Sequence, residues 1–157
     1  MPQAVIDSTV LVSAFLTQRG VSGALLRSAR VGAFLLFLSE AILEETQGVL
    51  LDNARRHRRR YRYPNEQVTA FVDGLRDFAT LVTDLPKVTV VIRDPNDDMV
   101  IATALVARAR YLVTRDRDLL SLQTYENITI VTPEAFMAIL RERETRPPTD
   151  PETEETP

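Results

Sequence analysis

Short apolar segments alternate with segments of helical periodicity along most of the chain, and this alternation constrains the fold more than any other feature. Short runs rich in β-branched or apolar residues predict strands over residues 4–7, 33–39, 88–92, 110–114 and 127–131. These runs are apolar throughout, without an exposed polar face. Strands of that kind, separated by helices, indicate an α/β protein with a mostly parallel sheet that is covered on both faces.

The segments between these runs predict the helices. Residues 10–30 predict one or two helices, and Ser39 is placed to cap the next one. The pattern over 64–82 predicts a helix that begins near Pro64. Further helices are predicted over 97–109 and 133–140.

Length and composition favour one domain. The chain has 157 residues, of which 45% are hydrophobic, enough for one core. We expect the domain to span residues 1–142. Residues 143–157 are acidic and proline-rich, and their composition predicts a disordered tail. Six of the 22 acidic residues follow Leu140, so the body of the protein is close to neutral.

Other compositional features exclude whole classes of site. The absence of cysteine excludes disulfides and thiolate metal ligands, and the apolar runs are far shorter than a membrane span. The N-terminus shows no secretion signal, so we expect a cytoplasmic protein without a membrane partner. His57 is the single histidine, which disfavours a Ser-His-Asp relay and a zinc site. Glycine-rich phosphate loops are also missing.

Acidic residues gather where the predicted strands end. Because ligands of parallel sheets bind outside the carboxyl ends of the strands, these side chains are expected to share one pocket. Several carboxylates in one pocket repel one another unless a cation neutralises them, and carboxylate oxygens select Mg²⁺ or Mn²⁺. The acids concerned are Asp7, Glu44, Glu45, Asp94, Asp97, Asp98, Asp116 and Asp118.

Structural roles compete with this hypothesis for individual acids. Asp97 or Asp98 can cap a helix and interact with its dipole. Asp118 resembles the cap of the short segment 118–122, and Glu44 resembles a solvated helix residue. Asp7 is harder to explain in this way, because a carboxylate at the end of an apolar strand is desolvated.

Four motifs taken in order, "VIDSTVLVSAFL", "LSEAILEETQGVL", "DPNDDMVIATALVARARYLVTRDRDLL" and "ITIVTPEAFMAIL", resemble the PIN-domain family. They are most similar to its branch of toxins from toxin–antitoxin systems. The resemblance implies a three-layer α/β/α sandwich with about five strands and a Mg²⁺- or Mn²⁺-dependent ribonuclease. It places the metal-binding acids at Asp7, Glu45, Asp97 and Asp116, with Asp94, Asp98 and Asp118 as further candidates and Glu44 as an alternative to Glu45.

One position departs from the family pattern. Thr9 stands where the family usually has asparagine, after Ser8 at a position that is usually threonine. Both hydroxyls can still bond a carboxylate or a metal-bound water, so support of the ligands is expected to be weakened rather than lost. Thr114 is expected to support the ligands in the same way.

RNA contacts are expected from arginines. The segment 55–62, here called the arginine run, has six arginines, with Tyr61 inside it and Tyr63 directly after it. These residues suit phosphates and stacked bases, although such runs are also often solvated loops or partner-binding surfaces. The candidates are Arg55, Arg56, Arg58, Arg59, Arg60, Arg93 and Arg115. Single-stranded RNA, a cognate antitoxin and a second copy of the chain are the expected partners. The alternative function is a catalytically inactive domain that binds RNA or a protein partner.

Overall fold

The computed structural model describes residues 1–90 and 95–146. Asp94, Arg93 and most of the predicted tail lie outside those ranges. The elements are, in chain order, β1 (Gln3–Ile6), α1 (Ser8–Leu16), α2 (Val21–Arg30), β2 (Leu35–Ser39), α3 (Glu40–Arg56), α4 (Asn65–Phe78), β3 (Thr80–Val82), α5 (Pro95–Ala107), β4 (Tyr111–Val113), α6 (Arg117–Leu122), β5 (Thr124–Tyr125), β6 (Ile128–Val131) and α7 (Pro133–Thr145).

The strands form one sheet in the order β3-β2-β1-β4-β6-β5. All neighbours are parallel except the short β5, which pairs antiparallel with β6. Ala4, Val5 and Ile6 of the central β1 are all fully buried. Since successive strand residues point to opposite faces, both faces of the sheet are covered. The predicted α/β class with a mostly parallel sheet is confirmed.

The third strand is not where the sequence placed it, and that prediction was wrong. Residues 88–90 form no strand, and residues 91 and 92 lie outside the described ranges. The Val90 N–H donates instead to a carboxylate oxygen of Asp98, at 2.8 Å. The strand beside β2 is Thr80–Val82, which the sequence read as the end of a helix. Helix α4 ends at Phe78 because Ala79 is already extended.

Helix α3 begins as the sequence predicted. The Ser39 hydroxyl accepts the Ile42 N–H at 3.4 Å and so caps the helix. The same hydroxyl accepts a hydrogen bond from Thr103 of α5, at 2.9 Å. This buried contact fixes α5 beside the carboxyl end of β2.

Helix α7 closes the core. The Phe136 ring packs edge-on against Phe34, with 4.9 Å between centroids, and lies 5.4 Å from the Tyr111 ring of β4. The helix runs on to Thr145, three residues past the domain end predicted at 142. The remainder of the predicted tail, from residue 147, lies outside the described ranges.

No single helix in the described ranges is long and apolar enough to cross a membrane. Helices α1 and α2 reach the required length and composition only as a pair, and a bend of 102° separates them.

Candidate metal centre

The carboxyl ends of β1 and β4 lie side by side in the sheet. Ile6 is in register with Val113, and the Asp7 N–H donates to the Val113 carbonyl at 3.1 Å. The first residues after the two strands are therefore neighbours in space. This places Asp7 beside the turn formed by residues 114–116.

Asp7 is a buried carboxylate held by hydrogen bonds. Its side chain is 2% exposed and caps α1 by accepting the Val10 N–H at 3.3 Å. The hydroxyls of Thr9, at 2.6 Å, and Thr114 also donate to it. Burial, with a smaller contribution from the nearby charge of Asp116, raises the pKa of Asp7 from 3.8 to about 6, even though these hydrogen bonds favour the charged form. The carboxylate therefore lies where a neutralising cation would stabilise it.

Three other acids form what is here called the acidic cluster: Asp97, Asp116 and Asp118. One carboxylate oxygen from each lies within 4.8 Å of the others. Asp97 comes from the first turn of α5 and is 6% exposed, whereas Asp118 is open to solvent. Two oxygens that each lie about 2.1 Å from a shared Mg²⁺ can be up to about 4 Å apart. Carboxylate oxygens are the ligands that hard divalent cations prefer, and oxygens 4.8 Å apart would have to move closer by less than about 1 Å to share one.

Asp116 links the acidic cluster to Asp7. The Thr114 hydroxyl donates to Oδ2 of Asp7 and accepts the Asp116 N–H at 2.9 Å. Asp116 also caps α6 by accepting the N–H groups of Asp118 and Leu119, at 2.8 and 3.2 Å. The prediction that Asp118 caps this segment was wrong, because Asp116 holds the cap position and Asp118 lies in the first turn.

The sequence model of the PIN domain family matches residues 3–118. The chain belongs to the PIN domain family. Members of this family are generally nucleases and typically use divalent metals.

Solved structures agree with the fold of this PIN domain. It is similar to the crystal structure of PAE2754 from Pyrobaculum aerophilum, with a TM-score of 0.62 and 15% identity over 90% of each chain. It is also similar to VapBC2 from Rickettsia felis bound to a DNA fragment from their promoter, with a TM-score of 0.56 and 14% identity. That match covers 82% of this chain and 96% of that chain. No curated protein sequence matches the chain significantly. At these identities the likeness supports the fold alone.

The two candidate acids of α3 differ in their surroundings. Glu44 is exposed, and its charge acts on Arg76 of α4, which is paired with Glu40. Glu45 is half-buried. Neither Glu44 nor Glu45 belongs to the acidic cluster. The PIN domain thus brings together Asp97, Asp116 and Asp118 and links Asp7 to them, but it leaves both acids of α3 outside that set. Asp98 is also outside the cluster and accepts the Val90 N–H.

The predicted RNA-binding arginines have separate environments. Arg55 and Arg56 both pair with Asp52 at the solvent-exposed end of α3, at 3.1 and 3.0 Å. Arg58, Arg59 and Arg60 are exposed, and Arg60 lies over the Tyr61 ring. Arg93 lies outside the described residues.

The arginine run lies away from the acids. Tyr63, which follows it, donates to the Leu50 carbonyl at 2.6 Å and packs on Phe15 with ring centroids 4.8 Å apart. Phe15 is near the end of α1, and α1 begins at the acids. Phe15 is eight positions after Asp7, which corresponds to about 12 Å along the helix.

Arg115 directly precedes Asp116 of the acidic cluster, and it is bound to Glu134. Two guanidinium nitrogens of Arg115 donate to the two Glu134 oxygens, at 2.7 and 3.2 Å. This pairing lowers the pKa of Glu134. Sequence reasoning missed Glu134, although an acid in the first turn after the β6 strand was a usable signal.

Proposed function

We propose that this PIN domain is a Mg²⁺- or Mn²⁺-dependent endoribonuclease that hydrolyses phosphodiester bonds of single-stranded RNA. The observation that carries the proposal is the approach of three carboxylate oxygens to within 4.8 Å, beside a fourth, buried carboxylate. Like charges at this spacing are stable together when a cation lies among them.

The cation would be held by Asp7, Asp97 and Asp116, with Asp118 as a further ligand and Glu45 completing the set from α3. When bound, it supplies the activation of water and the stabilisation of charge on the phosphoryl group that hydrolysis requires. The side chains themselves fix the site and, being anionic, repel the RNA backbone when they are not neutralised.

Two surfaces of the protein would supply positive charge to the RNA. Arg115 is half-exposed at the edge of the site, and Glu134 holds its guanidinium in one orientation. The second is the exposed arginine run, including Arg58 and Arg59, which lies farther from the acids, beyond the end of α1. A single-stranded RNA that contacts both surfaces would extend beyond the reacting phosphate.

The proposed biological setting is a toxin–antitoxin pair in the cytoplasm, with the active toxin as a homodimer. It is supported by the sequence resemblance to the toxin branch and by the fold likeness to VapBC2. A cognate antitoxin segment would then block access to the acids.

A cleavage assay tests the proposal. Labelled single-stranded RNA is incubated with the protein and Mn²⁺ or Mg²⁺, with and without EDTA. We expect cleavage only with the metal, and loss of cleavage in Asp7→Asn and Asp97→Asn. Asp77→Asn, an exposed acid on α4, is the matched control and should cleave like wild type.

A second function is favoured by one specific observation: Asp7 and Asp116 both cap helices. Capping alone would be enough to retain these two acids in a catalytically inactive domain that binds RNA or a protein partner. RNA binding that is equal with Mn²⁺ and with EDTA, without cleavage in either, would establish this function and exclude the nuclease.

A further inference from the structure

Two threonine hydroxyls hold the two oxygens of Asp7 separately. Thr9 donates to Oδ1 at 2.6 Å, and the Val10 N–H also reaches Oδ1, at 3.3 Å. Thr114, which is fully buried, donates to Oδ2. The carboxylate therefore has one fixed orientation.

Each hydroxyl also accepts an N–H from the turn that carries Asp116. The Arg115 N–H donates to Thr9 at 3.2 Å, and the Asp116 N–H donates to Thr114 at 2.9 Å. A backbone N–H can only donate and an ionised carboxylate can only accept, so each hydroxyl proton must point to Asp7. Two hydroxyl bridges thus join consecutive backbone amides to one carboxylate.

The two oxygens of Asp7 differ in the acceptor capacity that remains. A carboxylate oxygen has about two lone-pair sites. Within the described ranges, Oδ1 accepts from two donors and Oδ2 accepts from Thr114 alone. Oδ2 is therefore the atom of Asp7 with a site left for a ligand.

This inference rests on the proposed function. We propose that Thr9 and Thr114 are positioning residues that make Asp7 a ligand through Oδ2 alone and fix Asp116 relative to it. Removal of one of these hydroxyls takes one hydrogen bond from a turn amide and one from an oxygen of Asp7, and the two acids are then no longer held at a fixed spacing.

The test compares hydroxyl removal with hydroxyl retention. Thr9→Val and Thr114→Val remove the hydroxyl at nearly constant shape, whereas Thr9→Ser and Thr114→Ser keep it. Thr46→Val is the matched control for Thr114→Val, because Thr46 is likewise fully buried but bonds within α3, to the Ile42 carbonyl. The Mn²⁺ dissociation constant of each folded protein is measured by titration calorimetry, with folding checked by circular dichroism.

We expect each valine variant to bind Mn²⁺ about 10- to 100-fold more weakly, as is usual when a group that orients a metal ligand is removed. The serine variants and Thr46→Val should bind like wild type. Amide hydrogen exchange in EDTA gives a readout without metal: exchange of Asp116 should speed up in Thr114→Val, and that of Arg115 in Thr9→Val.

The outcomes separate this inference from the proposed function. If wild type binds Mn²⁺ and the valine variants bind it equally well, the positioning role is overturned while the metal site stands. A Mn²⁺-bound crystal structure with both Asp7 oxygens on the ion would overturn the Oδ2 assignment. A wild-type protein that does not bind Mn²⁺ overturns the inference and the metal-dependent function together.

Discussion

The burial of Asp7 predicts an unusual pH dependence of stability in the metal-free protein. Its pKa is about 6 in the folded protein against 3.8 ordinarily. Between these values the folded state binds more protons than the unfolded state, so the free energy of unfolding falls as pH rises. A difference of about 2 pKa units corresponds to about 3 kcal/mol, lost between about pH 4 and pH 6 and constant above.

Asp7→Asn removes the titrating group. The difference in unfolding free energy between wild type and this variant isolates the contribution of Asp7, because other titrating groups are shared. Glu134, whose pKa is lowered, acts with the opposite sign: its stabilisation is present above its unfolded pKa and is lost as pH falls through the folded value. That contribution cancels in the difference.

The assay is urea unfolding in EDTA at steps from pH 4 to pH 8, followed by circular dichroism. We expect wild-type stability to fall relative to Asp7→Asn by about 3 kcal/mol over this range. Asp77→Asn should run parallel to wild type. Parallel curves for wild type and Asp7→Asn would show that folding does not raise the pKa of Asp7, and would contradict the prediction.

Two further predictions concern other parts of the molecule. A Cβ at Gly23 would lie 2.1 Å from the Gln18 carbonyl oxygen, so Gly23→Ala should destabilise the protein by about 1–3 kcal/mol in urea unfolding. Gly48 has open space around it, so Gly48→Ala should be neutral or stabilising. Equal effects of the two substitutions would contradict the steric clash at Gly23. The affinity for single-stranded RNA falls as salt rises, and replacing Arg58 and Arg59 with glutamine should make the plot of log affinity against log salt less steep. The steepness should fall by about 0.7 for each phosphate that the protein no longer neutralises. An unchanged slope would exclude these arginines from the interface.

The sheet could be predicted from the sequence where strands are apolar on both faces. Residues 4–6 and 111–113 are continuous apolar runs, and both are central strands. The edge strand Thr80–Val82 could not be located in this way, since it continues the apolar pattern of α4 and only the extended backbone of Ala79 separates them. The run at 88–90 has strong strand propensity, but its Val90 N–H is taken by Asp98.

The grouping of the acids could be predicted because ligands of parallel sheets bind outside the carboxyl ends of the strands, and only the strand order is needed to find neighbouring ends. Asp7 and Asp116 follow neighbouring strands, and the sequence indicated both. Helix capping by Asp116 rather than Asp118 depends on where α6 begins, which sequence patterns determine only to within a few residues. The pairing of Arg115 with Glu134 depends on tertiary contact between a turn and α7, which no local pattern encodes.

In the proposed metal centre, carboxylates from separate segments of the chain bind one divalent cation. Crystals of the protein grown with Mn²⁺ and measured at a wavelength where manganese scatters anomalously test this binding most directly. The expected result is an anomalous peak within about 2–2.5 Å of carboxylate oxygens of Asp7, Asp97 and Asp116. Bound Mn²⁺ at other sites with no peak among these three residues would contradict the claim.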